Sequence, residues 1–245
     1  MAAIPSASLE SALESALEPT DARAPRAVLF DAYGTLFDVY SVGTLAERLF
    51  PGLGERLGVL WRDKQIEYTR LVSMSAQRRS FADCTRGALR FAARRLGLDL
   101  GAAAEDELMT SYQRLAPFPE NRDVLESLKV RGIRAGVLSN GDPGMLGEVV
   151  RHAGFSTLLD PVLSVEPSHR FKTDPATYAL GTAAFGLAAS EVLFVSSNCW
   201  DAIGATWFGY TTLWINRSGL PLDELGTEPT RIGTTLADVL AFFPS

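Results

Sequence analysis

The sequence predicts an α/β fold, a doubly wound parallel sheet with a helical cap inserted after the first strand, on three observations. Short apolar runs rich in Val, Leu and Phe recur along the chain and end in polar turns. Helical periodicity fills the intervals between the later runs. Between the first run and the second, the pattern stays helical for about eighty residues.

The first run, Ala27-Val28-Leu29-Phe30, leads into Asp31-Ala32-Tyr33-Gly34-Thr35-Leu36. Apolar at every position, it reads as a central strand covered on both faces, and its end lies on the edge where open α/β sheets bind ligands. Asp31 therefore stands where a nucleophile would. Turn capping is the plainer alternative, because Asp, Gly and Thr all favour turns for local reasons. Beyond Phe37, Leu57, Leu60, Trp61, Lys64, Tyr68, Leu71 and Val72 follow the three-and-four spacing of an amphipathic helix. A second helix is expected from Phe81 to Leu96, before Gly97, and a third from Ala103 to Leu115, before Pro117 and Pro119.

Strands return at Ile133 to Leu138, Val162 to Val165, Val192 to Val195 and Thr211 to Ile215. Helices fit between them at Asn121 to Val130, Met145 to His152, Pro175 to Phe185 and Ala202 to Phe208. Right-handed crossovers on these βα units bring Asp31, Ser139, Ser196 and Asn198 to one sheet edge, with the helical insert leaving from the same edge. The organisation expected is an N-terminal extension over residues 1–25, an α/β core over 26–37 and 118–245, and a helical cap over 38–117. In the extension, Ser-Ala-Leu-Glu occurs at Ser11 to Glu14 and again at Ser15 to Glu18, before Pro19. A helix this short is unstable alone, so the arm reads as disordered or loosely helical, with a docking helix as the alternative. Its acidic content and lack of a cationic start argue against a targeting peptide.

Composition narrows the function classes. A chain of 245 residues with 47% hydrophobic and 21% charged content can bury a substantial core. A net charge of −6 argues against nucleic acid or an anionic membrane as partner. No apolar stretch reaches the roughly 20 residues that span a bilayer. Cys84 and Cys199 lie far apart in neither a disulfide framework nor a metal spacing, which suits a cytoplasmic, reducing location. His152 and His169 have no metal spacing, no nucleophilic-serine or phosphate-loop signature occurs, and Gly141-Asp142-Pro143-Gly144 reads as a turn.

Five pieces together resemble the L-2-haloacid dehalogenases of the haloacid dehalogenase superfamily. They are Phe30 to Val39, Trp61-Arg62-Asp63-Lys64-Gln65-Ile66-Glu67-Tyr68, Leu138-Ser139-Asn140-Gly141, Phe171-Lys172, and Phe194-Val195-Ser196-Ser197-Asn198-Cys199-Trp200-Asp201. The resemblance runs from about Arg26 to Phe243 and implies a Rossmann-like core. The Asp31 motif and the Ser139-Asn140 pair indicate the superfamily, most of whose members are phosphatases. The Trp61 and Ser196 strings point to the dehalogenases.

Residue chemistry separates the two activities independently. A phosphatase nucleophile at Asp31 would profit from an acid two positions later to protonate a leaving alkoxide. Position 33 is Tyr, and a departing halide needs no proton. Paired acids four residues apart would serve a magnesium ion, yet four residues before Asp201 stands Ser197. No metal and no cofactor are therefore expected, and a small, monoanionic 2-haloalkanoic acid is an easier guest than a phosphate dianion. A magnesium-dependent phosphatase and a non-catalytic binder stand as rivals.

The resemblance implies displacement of halide from C2 by Asp31, hydrolysis of the aspartyl ester, inversion at C2, and conversion of an L-2-haloacid into a D-2-hydroxy acid. It makes Lys172 the cation beside the nucleophile, although a surface lysine is the default on residue type alone. Arg62, with Ile66 one turn onward, would face the site and receive the halide with Asn140 and Trp200. By residue type alone, Arg62 would be solvated and Trp200 could equally be core packing. Ser139 and the backbone N–H groups after Asp31, including that of Ala32, would hold the carboxylate. Tyr33, Ile66 and Phe81 would shape an apolar pocket. Thr35 and Tyr178 would order the nucleophile loop and its surroundings, Ser196 and Asn198 would bond to the Asp31–Lys172–Asp201 network, and Asp201 would activate water; capping is the alternative for each Ser and Asn. A homodimer is implied as well. Ala32, Asp63 and Thr173 depart from the family pattern, Asp63 by placing an acid beside the pocket's arginine.

Overall fold

The strands β1 (Ala27–Phe30), β2 (Arg134–Ser139), β3 (Val162–Ser164), β4 (Val192–Ser196), β5 (Thr211–Ile215) and β6 (Arg231–Gly233) form one sheet in the order β3-β2-β1-β4-β5-β6, parallel throughout. The computed structural model describes residues 24–75 and 77–244, so nearly all of the extension expected over 1–25 lies outside the described residues. β1 and β4 are buried at every position, as strands covered by helices on both faces must be. Phe30 pairs with Val137 on one side and Val195 on the other. This register makes Asp31, Ser139 and Ser196 emerge together at the C-terminal edge. The chain runs from β1 outward to β3 and returns to β4 on the other flank, so the crevice between β1 and β4 is the topological switch point.

Between β1 and β2 come α1 (Gly43–Leu49), α2 (Gly54–Met74), α3 (Phe81–Arg95) and α4 (Ala102–Tyr112). α5 (Asn121–Val130), α6 (Pro143–His152), α7 (Pro175–Phe185) and α8 (Cys199–Phe208) follow, with a 3-10 segment at Leu236–Phe242. α3 starts on a capping box, Ser80 Oγ accepting from the Asp83 N–H at 3.0 Å, and ends on Arg94 and Arg95, which suit the helix dipole. The chain passes between sheet and helical layer twice, side by side, with the Asp38 N–H donating to Ala116 O at 2.8 Å.

Several features differ from the sequence expectation, among them the starts of α6 at Pro143 rather than Met145 and of α8 at Cys199 rather than Ala202. α1 opens on a glycine without a capping side chain, and β6 is a three-residue edge strand, so neither carries a periodic signal. α4 ends at Tyr112 rather than Leu115. The buried stripe of α2 is Leu57, Trp61, Gln65 and Thr69, whereas Lys64, Tyr68 and Val72 lie half-buried and Leu71 is exposed. The stripe turns polar over its second half because that half faces the sheet edge. Among the described residues no helix is long and apolar enough to cross a membrane.

Candidate active site

Asp31 leaves β1 into the switch-point crevice almost fully buried. Its carboxylate accepts from Thr35 Oγ1 at 3.1 Å and Asn198 Nδ2 at 2.9 Å on one oxygen, and from Lys172 Nζ at 3.2 Å on the other. Lys172 is buried, lies 4.8 Å from the Phe194 ring centroid, and also donates to Asp201 Oδ2 at 3.0 Å. Asp201 is 0% exposed. Burial pushes its carboxyl above the ordinary Asp value; Lys172 opposes that shift, and the nearby Asp31 charge adds to it. The Tyr178 hydroxyl donates to Asp201 Oδ1 at 2.8 Å and is held well above the usual phenol value, first by burial and then by Asp201. One ammonium thus serves two carboxylates, and Asp201 is the member driven to take a proton.

Over Asp31 lies a small cavity lined by Tyr33, Arg62, Ile66, Phe81, Asn140 and Trp200, among others, with a free volume of about 20 Å³. Arg62 reaches it from α2, donating to Tyr33 O at 3.0 Å, Asn198 Oδ1 at 3.2 Å and Gln65 Oε1 at 2.8 Å. Gln65 is fixed in turn: the Tyr112 hydroxyl donates to it at 3.0 Å, and its Nε2 donates to Thr85 Oγ1 at 2.6 Å. The Tyr33 ring packs 5.2 Å from Phe81 and 5.5 Å from Tyr112. On the far wall the Arg70 guanidinium lies 5.0 Å from the Trp200 ring centroid.

Other sequence-derived candidates find different surroundings. Asn140 lines the cavity and holds the Lys172 backbone, its Oδ1 accepting that N–H at 2.9 Å. Ser139 lines the cavity and accepts from the Gly141 N–H at 3.1 Å. Ser196 is a correction: its hydroxyl accepts the Asn198 N–H at 3.1 Å, closing the β4 turn, and makes no bond to Asp31, Lys172 or Asp201. The Ala32 side chain is buried outside the cavity lining, and Asp63 is exposed and likewise absent from that lining. Lys172, Tyr178 and Asp201 sit behind the cavity floor rather than on it. Sequence reasoning passed over Gln65, Thr85 and Tyr112, and above all Asp142. The Asp142 carboxylate accepts from the Phe81 N–H at 2.8 Å and the Ala82 N–H at 2.7 Å, so a residue at the start of α6 satisfies the first turn of α3.

The magnesium site general to the superfamily does not fit these donors. Around Asp31 and the Tyr33 carbonyl, the partners are hydrogen-bond donors, Asn198 Nδ2 and Arg62, with the Lys172 ammonium alongside. A hard divalent ion needs oxygen ligands in those directions. Ser197 supplies none of the missing charge, because its hydroxyl is neutral.

Residues 25–209 match the haloacid dehalogenase-like hydrolase family. The chain is 46% identical over 218 residues to the (S)-2-haloacid dehalogenase of Pseudomonas sp. (strain YL), covering 89% of this chain and 94% of that protein. Its fold matches the crystal structure of the L-2-haloacid dehalogenase RSc1362 with a TM-score of 0.88 at 53% identity, over 90% of this chain and 99% of that one. It also matches the Xanthobacter autotrophicus L-2-haloacid dehalogenase with chloropropionic acid covalently bound, at a TM-score of 0.84 and 34% identity, over 90% and 100% of the two chains. Sequence and fold agree over nearly the whole length, and the chain belongs to the L-2-haloacid dehalogenases of the haloacid dehalogenase-like hydrolases.

Proposed function

We propose that the protein hydrolyses short-chain L-2-haloacids to D-2-hydroxy acids through an ester on Asp31. The observation that carries this reading is the buried Asp31–Lys172–Asp201 cluster beneath a pocket that holds an arginine. Ionised Asp31, its charge balanced by Lys172, Thr35 and Asn198, attacks C2 opposite the halogen. The C–halogen bond breaks, halide leaves with the bonding pair, and C2 inverts. Arg62 has five N–H donors, not all of them engaged in the bonds given above, and the remainder serve the departing anion beside Asn140 and Trp200. Ser139 and the turn amides, including that of Ala32, hold the carboxylate, while Tyr33, Ile66 and Phe81 surround the alkyl group.

Water then attacks the ester carbonyl from the Asp201 side, away from the pocket. Asp201 takes the proton, and the donors already on Asp31 stabilise the oxyanion without rearranging. Tyr178 keeps Asp201 aimed. The hydroxy acid departs carrying an oxygen that came from Asp31. The fold supports a division into a helical cap over 38–117 and a core over 26–37 and 118–245. Two unbridged thiols suit a cytosolic enzyme, and family membership suggests a homodimer, which light scattering would reveal.

Two assays test the reading. Halide release from both 2-chloropropionate enantiomers should favour the L form and persist in EDTA; strict need for Mg²⁺ together with turnover of p-nitrophenyl phosphate would replace it with the phosphatase. In a single turnover in ¹⁸O-labelled water the label should appear on the Asp31 carboxylate and not in the product. Label in the first hydroxy acid would mean that water attacks C2 directly.

A further inference from the structure

The cavity over Asp31 has a free volume of about 20 Å³, the room of about one water, so a haloacid does not fit it as it stands. Next to it lies a second, larger cavity with a free volume of about 240 Å³. Asn140 belongs to the walls of both. Phe81 lines the inner cavity and Phe171 the outer one, with ring centroids 6.5 Å apart, so this aromatic pair stands between them.

Charge in the outer cavity is balanced in number, three arginines against three acids, and unequal only in how those groups are engaged. Its walls carry Arg78, Arg79 and Arg170 and the acids Asp83, Asp142 and Glu166, with His169 beside them. Both oxygens of Asp142 are engaged by the α3 backbone, and Asp83 accepts the Ser80 N–H at 3.3 Å. Arg170 is committed to Ser73 O at 2.9 Å and to Asp174 at 3.6 Å. Among the described residues no carboxylate lies within ion-pair distance of Arg78 or Arg79, both exposed on the segment that leads into α3. The Glu166 carboxylate likewise has no cation within ion-pair distance among the described residues, so the walls hold two uncommitted guanidiniums against one uncommitted carboxylate.

We propose that this outer cavity is a holding subsite for the carboxylate of the incoming 2-haloacid, with Arg78 and Arg79 drawing the anion in and Phe81 and Phe171 forming the partition it must pass. The proposal rests on the haloacid reading of the inner site. Guanidinium pairs suit a carboxylate through paired N–H donors, and a charged cleft raises the local concentration of its substrate and its capture rate by 10-fold to about 10³-fold. The subsite acts before chemistry, so it governs kcat/KM and leaves kcat alone.

The test compares R78Q/R79Q with wild type and with R94Q/R95Q, which removes the same charge at the far end of α3. Halide release from L-2-chloropropionate is followed at several concentrations of sodium sulfate, with circular dichroism to verify folding. At low salt, R78Q/R79Q should lower kcat/KM by about tenfold, flatten its decline with salt and change kcat by less than about twofold, while R94Q/R95Q follows wild type. Wild-type kcat/KM and salt response in R78Q/R79Q would overturn the subsite while leaving the haloacid reading intact. An equal loss in R94Q/R95Q would assign the effect to net charge and overturn it as well. Absence of halide release by the wild type from every 2-haloacid would instead remove the haloacid reading, and the subsite with it.

Discussion

Asp201 and Arg62 show how burial decides what a side chain does. Asp201 is bonded to a lysine and a tyrosine, an arrangement that would normally lower a carboxyl's pKa, yet complete burial outweighs both and the carboxyl is raised. A base must be ionised to work, so falling pH removes it as soon as its raised value is crossed. The acid limb of kcat should therefore lie above the ordinary Asp value of about 3.8, and a limb at or below that value would contradict the assignment. Asp201's share of stability runs the opposite way, present below the ordinary value and lost as pH rises through the raised one. Asp201→Asn should slow ester hydrolysis by on the order of 10² to 10⁴ and leave the Asp31 ester visible by intact mass. Arg62→Ala should lose on the order of 10²-fold in kcat, the usual scale for a donor aimed at developing charge, and circular dichroism should stay native; near-normal turnover would make Arg62 a mere strut between α2 and the β1 turn.

Elements explain which of these features the sequence could reveal. β1 and β4 were legible because a strand buried on both faces must be apolar at every position, and the residues just past such strands, Asp31 and Asn198, become candidates without further information. α2 was legible as a helix, but its seam was misplaced, because Gln65 and Thr69 are buried polar residues facing the site and hydrophobic periodicity discounts them. Asp142 was not legible at all. In its own turn it looks like ordinary turn chemistry, and its partners Phe81 and Ala82 lie about sixty residues away on another element. Removing it strands two N–H groups at the start of α3 and frees Phe81, a wall of the pocket. Asp142→Ala should cost about 1–2 kcal/mol in urea unfolding and reduce halide release, whereas Asp142→Asn should retain part of both through its one remaining acceptor. Unchanged stability and turnover in the alanine variant would make the contact incidental.

Across the molecule, the helical layer meets the sheet edge through a small set of polar contacts: Asp142 to α3, Arg62 to the β1 and β4 turns, Arg70 to Trp200, and Ser73, whose hydroxyl accepts the Phe171 N–H at 2.6 Å. The sheet itself is held by continuous parallel ladders through fully buried strands. Contacts of the first kind open locally at less cost than the second. An inner cavity with a free volume of about 20 Å³ requires such opening in every turnover. The Phe81 and Ala82 amides, whose acceptor lies at the start of α6, report it directly, since their hydrogen bonds break when the layers part. In hydrogen exchange they should lose protection well before the β1 and β4 amides, and D-lactate, the product proposed from L-2-chloropropionate, should slow them without affecting the strands by occupying the cavity between the layers. Exchange as slow as that of β1, and indifferent to D-lactate, would mean that the layers stay closed and that substrate enters by movement of the Phe81 and Phe171 rings alone.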